Sequence, residues 1–226
     1  MVVRSEVEGS RCATLKRFPE IPRPALGMKL LLATHNSNKT REFAQLLGVE
    51  FCIRDLTALG DLLEIAETGR SFEENAAIKA TAVSKLCRDQ VVIADDSGLE
   101  VDALEGAPGV FSARYSGQRA NDEENANKLL RELRGVTNRS AGFRCAIAVA
   151  KNGGLITTVA GRIAGTITES PRGENGFGYD PIFVPEGFAE TFAELSPETK
   201  NKISHRAAAV RALIRYFNTA PHAPEK

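Results

Sequence analysis

Two short, unbroken apolar runs constrain this chain most: Lys29–Leu30–Leu31–Leu32–Ala33 and Val91–Val92–Ile93–Ala94. Apart from Lys29 neither run contains a polar residue, so neither suits a half-solvated sheet. Both read as strands buried on two faces, which need helices above and below them. Each run leads into a polar cluster read as a turn, Thr34 to Lys39 after the first and Asp95–Asp96–Ser97–Gly98 after the second. Between and beyond them the period changes to that of helices. Phe43, Leu46 and Leu47 share one face, and Val49–Ile53 reads as the next strand. Ser71 and Glu74 form a capping box for a second helix that buries Ala76, Ala80, Val83 and Cys87. A third helix runs from about Asn121 to Gly135, a residue suited to a helix stop. Strand signals follow at 142–150 and 155–168, and a last helix from about Ser204 to Phe217 buries Val210, Leu213, Ile214 and Phe217. Helices and strands alternate early and strands cluster in the middle. That pattern predicts an α/β fold on a mixed sheet, with no repeat and no clear linker.

Composition excludes several alternatives. The chain has 226 residues, 42% of them hydrophobic, with 29 basic against 29 acidic side chains. A balanced charge argues against a general nucleic-acid binder, which needs a basic surplus to meet phosphates. No run of about 18 apolar residues is present to cross a membrane. Cys12, Cys52, Cys87 and Cys145 form no Cys-x-x-Cys pair and read as free thiols of a reducing compartment, which predicts a cytoplasmic protein. Cys145, in the alternating series Phe143, Cys145, Ile147, Val149, reads as a core residue. His35, His205 and His222 are too far apart in sequence to suggest a zinc site. Residues 1–27 mix both charge signs, end in a proline-rich stretch and lack the apolar segment of a secretory signal. They read as a disordered N-terminal extension, or as an upstream addition to a gene that starts at Met28. A single domain is expected over 28–218, with a flexible tail at 219–226.

Three constellations carry the chemistry. In open α/β sheets, ligands bind outside the carboxyl ends of the strands, where the first two fall. Thr34, His35, Asn36, Ser37, Asn38 and Lys39 join a strand to a helix, so their backbone N–H groups and the Lys39 ammonium are placed to face an anion. The same residues also read as a plain turn that caps a helix. A P-loop is excluded, because Asn38–Lys39–Thr40 lacks the glycines that let a backbone wrap phosphates. Asp95 and Asp96 place two carboxylates just after a buried strand, a costly arrangement unless a cation or hydrogen bonds satisfy them. A hard divalent ion such as Mg²⁺ suits those oxygens, with Glu67 as a further ligand; the alternative is a solvated Asp-rich turn. The third is Gly173–Glu174–Asn175–Gly176–Phe177–Gly178–Tyr179–Asp180–Pro181. It reads as a flexible, exposed loop whose rings can stack on a nucleobase, or as a glycine-rich hairpin with Phe177 buried in the sheet. Lys200, His205 and Arg206 follow, either as donors to base oxygens and phosphates or as a solvated helix start.

Taken together these motifs resemble the inosine/xanthosine triphosphate pyrophosphatases, over about residues 29–217. The likeness rests on Ala33–Lys39, Glu67–Thr68–Gly69, Phe72–Ala76 with Lys79, and Ala94–Leu99. It extends through Gly106–Gly109, Ser112–Tyr115, Gly176–Pro181 and Ser204–Arg206. The resemblance implies a mixed α/β fold with a long, curved central sheet, flanking helices and two lobes around a substrate cleft, in a homodimer. It implies Mg²⁺-dependent hydrolysis of a non-standard purine nucleoside triphosphate to the monophosphate and pyrophosphate. Asp96 would accept the proton from water and bind metal, Glu67 would be a second ligand, and Asp95 a supporting carboxylate. Thr34 to Lys39 would hold the triphosphate, and Ser97 and Lys79 would contact substrate. Phe177, Gly178, Tyr179, Asp180, Lys200, His205 and Arg206 would form the base pocket. The chain departs from many relatives by having His35 and Asn38 where they carry glycines, and Ala66 where bacterial ones carry another acid. Two other readings remain: a nucleotide sensor without turnover, and a pyrophosphatase for another nucleotide such as a modified pyrimidine or dUTP.

Overall fold

The structure, a computed structural model, describes residues 27–59 and 65–219. The expected N-terminal extension and C-terminal tail, with Cys12 and His222, fall outside these apart from Gly27 and Thr219. In chain order the elements are β1 (Met28–Leu32), α1 (Ser37–Leu47), β2 (Phe51–Asp55), α2 (Phe72–Leu86), β3 (Val91–Val101) and α3 (Asp122–Glu132). Then come β4 (Ser140–Lys151), β5 (Gly154–Ile167), β6 (Phe183–Pro185), α4 (Pro197–Ile203) and α5 (His205–Thr219). The strands form one curled, mixed six-stranded sheet in the order β2-β1-β3-β4-β5-β6. β1 lies parallel to both β2 and β3, and the remaining neighbours are antiparallel.

The two apolar runs are buried on both faces, as their composition predicts. In β1, Leu30 and Leu32 join a core with Phe43, Leu47, Val210, Leu213 and Phe217, beneath α1 and α5. Leu31 and Ala33 join a second core under α2. The same alternation runs along β4. Cys145, Ile147 and Val149 face the α1/α5 side, whereas Ala146, Ala148 and Ala150 face α2. Cys145 is thus a core residue, and burial pushes its thiol up to about 12. A third core gathers Leu99, Val101, Leu129, Phe143, Phe183 and Phe192 at the far end of the long strands, giving the second lobe.

One expected turn is not a turn. β3 continues through Asp95–Asp96–Ser97–Gly98 to Val101, paired with β4 from Val92↔Ala150 to Val101↔Ala141. Long antiparallel pairing outweighs the turn preference of Asp, Ser and Gly, a tertiary override that a local reading misses. β1 pairs with β3 only as far as Leu32↔Ile93, so the β1 side of β3 has no strand partner where the two aspartates stand.

Helix boundaries follow local chemistry. The Asn36 side chain caps α1 by accepting from the Asn38 and Lys39 N–H groups. Ser71 caps α2, but the Glu74 carboxylate accepts from Arg70 N–H, so the box closes one residue early. Asn121 and Glu124 cap α3 reciprocally. Ser204 separates α4 from α5, which places Lys200 on a short helix of its own. α5 lies flush on β5, because Gly161 offers no Cβ where the helix backbone at His205 and Ala209 approaches.

The close α2–β4 contact depends on small side chains. Ala80→Leu, at a fully buried site, is expected to lower stability by about 1–3 kcal/mol through overpacking. Leu86→Ala, at an exposed site, is expected to stay within about 0.5 kcal/mol. Urea unfolding of the two variants measures the contrast.

Candidate active site

Because side chains alternate along a strand, Asp95 and Asp96 point to opposite faces of the sheet. Asp95 goes with Ile93 and Ser97 to the α1/α5 side, where its Oδ2 meets Lys39 Nζ at 3.1 Å and Arg206 Nη2 at 3.3 Å. Asp96 faces α2, where Asn75 Nδ2 donates to its Oδ2 at 3.1 Å and Lys79 Nζ to its Oδ1 at 3.3 Å. The neighbours therefore do not form one chelating pair. The carboxylate that joins Asp96 is Glu67, whose Oε1 accepts from the same Lys79 Nζ at 2.9 Å. Arg114 Nη1 holds the other Glu67 oxygen at 3.0 Å.

Electrostatics differ on the two sides. Burial alone would push the Asp95 carboxyl up, but Lys39 and Arg206 overcome it and hold the group well below the usual carboxylate range. Burial raises the Asp96 carboxyl, with Lys79 opposing and Glu67 adding to the rise, and the net shift is upward. Asp96 is thus the better proton acceptor of the two. Glu67 is lowered, because Lys79 and Arg114 outweigh its burial. Lys79 is raised despite burial, since Asp96, Asp95 and Glu67 all favour its charged form.

On the α1/α5 side, Glu42 accepts from Lys200 Nζ at 2.8 Å and is paired with Arg206 Nη1. Asp180 accepts from Lys200 at 2.6 Å and from Phe177 N–H at 2.8 Å. Lys200, His205 and Arg206 are all buried, which excludes the solvated helix start. The His205 ring stacks on Phe143 with centroids 4.7 Å apart and planes 10° apart. Burial first, then Arg206 and Lys200, depress its protonation well below the ordinary range, so it is neutral at pH 7.

The glycine-rich loop is pinned rather than flexible. Gly176 and Gly178 take positive φ values of 79° and 64°, Asp122 accepts from Gly178 N–H at 2.7 Å, and the Tyr179 hydroxyl donates to Ser112 O at 2.8 Å. Tyr179 belongs to the third core. Phe177 is half-buried outside any strand, with Lys200 Nζ 5.0 Å and the Arg206 guanidinium 5.7 Å from its ring centre.

One cavity unites most of the expected residues. Asn36, Lys39, Glu67, Asp96 and Ser97 line one part, and Phe177, Gly178, Tyr179, Asp180, Lys200, His205 and Arg206 another. Lys79 reaches it through its two carboxylate partners. Thr34, His35, Ser37 and Asn38 are not in that lining; Asn38 borders a neighbouring cavity beside Arg41. The first turn also differs from expectation. The Asn36 carboxamide already takes the Asn38 and Lys39 N–H groups, and Thr34 Oγ1 takes that of Asn36. Replacing glycines by His35 and Asn38 costs no strain, because neither has a positive φ. Glu42, Asn75 and Arg114 are the partners that sequence reasoning left without roles. Glu42 had one signal, its position three residues after Lys39 on the same helix.

Among the described residues, the buried side-chain polar atoms without a hydrogen-bond partner are Asp95 Oδ1, His205 Nδ1 and Arg206 Nε. His205 and Arg206 line the cavity; Asp95 does not, but it pairs with Lys39 and Arg206, which do. The cleft thus joins carboxylates and lysines near the end of β1 to a half-buried ring and buried donors, on a mixed α/β sheet.

The chain belongs to the Ham1 family, whose sequence pattern matches residues 30–216. It is 52% identical to the dITP/XTP pyrophosphatase of Bacillus licheniformis over 195 residues, covering 85% of this chain and 99% of that one. It is 50% identical to the Bacillus subtilis protein of the same name, covering 82% of this chain and 94% of that one. The solved structure of the Staphylococcus aureus Ham1 protein matches with a TM-score of 0.77 and 39% identity, covering 85% of this chain and all of that one.

The neutral state of His205 has a measurable consequence. Its folded pKa is depressed, so on acidification the unfolded chain takes up a proton below about pH 6.5 that the folded chain refuses. Its contribution to stability is complete above that pH and declines by about 1.4 kcal/mol per unit below it. Urea midpoints compared between pH 7 and pH 5.5 should fall less in His205→Gln than in the parent, other titrating groups being common to both.

Proposed function

We propose that the chain hydrolyses non-standard purine nucleoside triphosphates of the dITP and XTP kind to the monophosphate and pyrophosphate. The observation that carries this reading is one cleft that joins Lys39 and the Glu67 and Asp96 carboxylates to the Phe177 ring and the buried donors Lys200, His205 and Arg206. Two of its lining residues, His205 and Arg206, also carry buried nitrogens without partners, which are rare. The proposal assigns the activity to a single domain over 28–218.

Charge explains a need for metal. The ion pairs of the cleft join five cations (Lys39, Lys79, Arg114, Lys200, Arg206) to five carboxylates (Glu42, Glu67, Asp95, Asp96, Asp180). These pairs cancel, and Asp122 lines the cleft as a further carboxylate, so the site must gain positive charge before it holds a triphosphate well. Among the described residues no group of three or more His, Cys, Asp or Glu forms a ready-made cage. Glu67 and Asp96 already converge on one cation, the Lys79 ammonium, and their hard oxygens suit Mg²⁺, which usually takes one or two carboxylates and completes its shell with water and phosphate. Bound there, Mg²⁺ would supply charge stabilisation at the phosphate oxygens.

Asp96, raised by burial and held in place by Asn75, accepts the proton of the attacking water. Attack at the α-phosphate then releases pyrophosphate. Asn36 and Lys39, which line the cleft at the start of α1, meet the phosphate chain with Lys79 and Ser97, while Thr34, His35, Ser37 and Asn38 shape the turn that sets them. The half-buried Phe177 ring offers a stacking face for the base, on a loop fixed by Gly178, Tyr179 and Asp180. Lys200, Arg206 and a neutral His205 present donors to a 6-oxo group. Adenine would set its amino donors against these donors, a buried mismatch costing about 1–3 kcal/mol or more. Free thiols fit a cytoplasmic setting. The exposed Phe111 beside Arg114 offers apolar surface for a homodimer.

Purified protein with Mg²⁺, offered dITP, XTP, dGTP and ATP side by side, tests the reading. Pyrophosphate and monophosphate are expected, fast from dITP and XTP and slow from the others. Orthophosphate would move the attack to the γ-phosphate and refute the assigned cleavage. Tight binding without product would favour a sensor, and fast cleavage of dUTP another pyrophosphatase. Asp96→Asn is expected to lower kcat by at least about 100-fold, the usual contribution of a positioned base, with its urea midpoint near that of the parent.

A further inference from the structure

Four contacts define the state of the Glu67–Asp96 pair. Each carboxylate has one oxygen on a donor with other ties: Asp96 Oδ2 accepts from Asn75 at 3.1 Å, and Glu67 Oε2 from Arg114 at 3.0 Å. The remaining oxygens, Glu67 Oε1 and Asp96 Oδ1, share the Lys79 ammonium at 2.9 and 3.3 Å. Asn75 is fully buried, and its Oδ1 also holds Gly69 N–H at 2.8 Å, so it ties the segment carrying Glu67 to α2. Lys79 follows Asn75 by one helical turn and faces the same way. Its ammonium sits on a flexible four-carbon stem and is the donor shared by both carboxylates, whereas Asn75 also holds Gly69 N–H and Arg114 lies over the Phe111 ring 5.3 Å from its centre.

From this geometry we propose that Lys79 is a built-in counter-ion: a divalent cation displaces its ammonium from Glu67 Oε1 and Asp96 Oδ1, and the freed ammonium turns to the phosphate chain. The proposal rests on the metal reading above and adds the exchange. Without a cation between them the two carboxylates would repel in a half-buried setting. Lys79 removes that repulsion when no metal is bound and gives way when a harder cation arrives. Its positive charge then stays in the cleft, so loading the metal raises the charge available to a polyanion by the full two units.

Mn²⁺ binding without nucleotide, read by electron paramagnetic resonance, is compared in the parent, Lys79→Met and Asp96→Asn. Lys79→Met is expected to bind Mn²⁺ about tenfold or more tightly, within the usual range for coupled sites. It should also melt lower without metal and gain more from Mn²⁺ than the parent. In the parent, reductive methylation of Lys79 followed by peptide mass spectrometry should be slow without metal and faster with saturating Mg²⁺. This labelling decides the matter if Lys79→Met fails to fold. Mn²⁺ binding that needs Asp96 but leaves Lys79 equally protected would overturn the exchange while the metal reading stands, even if Lys79→Met binds more tightly through charge alone. No Mn²⁺ binding, or binding that survives Asp96→Asn, would remove the metal reading and this proposal with it.

Discussion

Alternation along a strand buried on both faces governs this site. Once β3 continues through Asp95 and Asp96, the two side chains must leave on opposite sides, and each charge must be met where it emerges. Asp95 is met by α1 and α5 through Lys39 and Arg206, and Asp96 by α2 through Asn75 and Lys79. Removing either charge from water costs several kcal/mol, and a pairing seldom returns more than that. These ion pairs are therefore poor candidates for the source of stability. That role falls to the three apolar cores, which hold the strand rigidly enough for the charges to stay in place.

The two faces divide the work. The α2 face carries the group raised by burial, Asp96, and the carboxylate that converges with it, Glu67. The α1/α5 face carries the group held ionised, Asp95, together with the donors around Phe177. The cleft has access to both because β1 stops at Leu32 and leaves the β1 side of β3 without a strand partner from Ala94 onward. A longer β1 would close this opening, so the length of a five-residue strand decides whether a site exists here.

Much of this was legible in the residues. The apolar runs of β1 and β3, the alternation of β4, the cap at Ser71 and the start of α3 near Asn121 are local signals with local causes. The resemblance named most of the residues that line the cavity. Three things were not legible. The path of β3 through an Asp-Asp-Ser-Gly stretch depends on pairing with residues about fifty positions away, which local propensity does not register. The satisfied amides of the first turn depend on the rotamer of Asn36. The parts played by Glu42, Asn75 and Arg114 depend on contacts between segments distant in sequence, and a polar side chain on a helix face looks the same whether it meets water or a buried lysine.

Lys39 and Glu42 stand three residues apart on α1, a separation of about 4.5 Å along a stiff rod. Through Glu42 that rod grips Lys200 and Arg206 beside the Phe177 ring, and through Lys39 it holds Asp95. The helix is in effect a calliper: one jaw holds the carboxylate of β3, the other the two cations of α4 and α5, so strand and helices keep one fixed spacing.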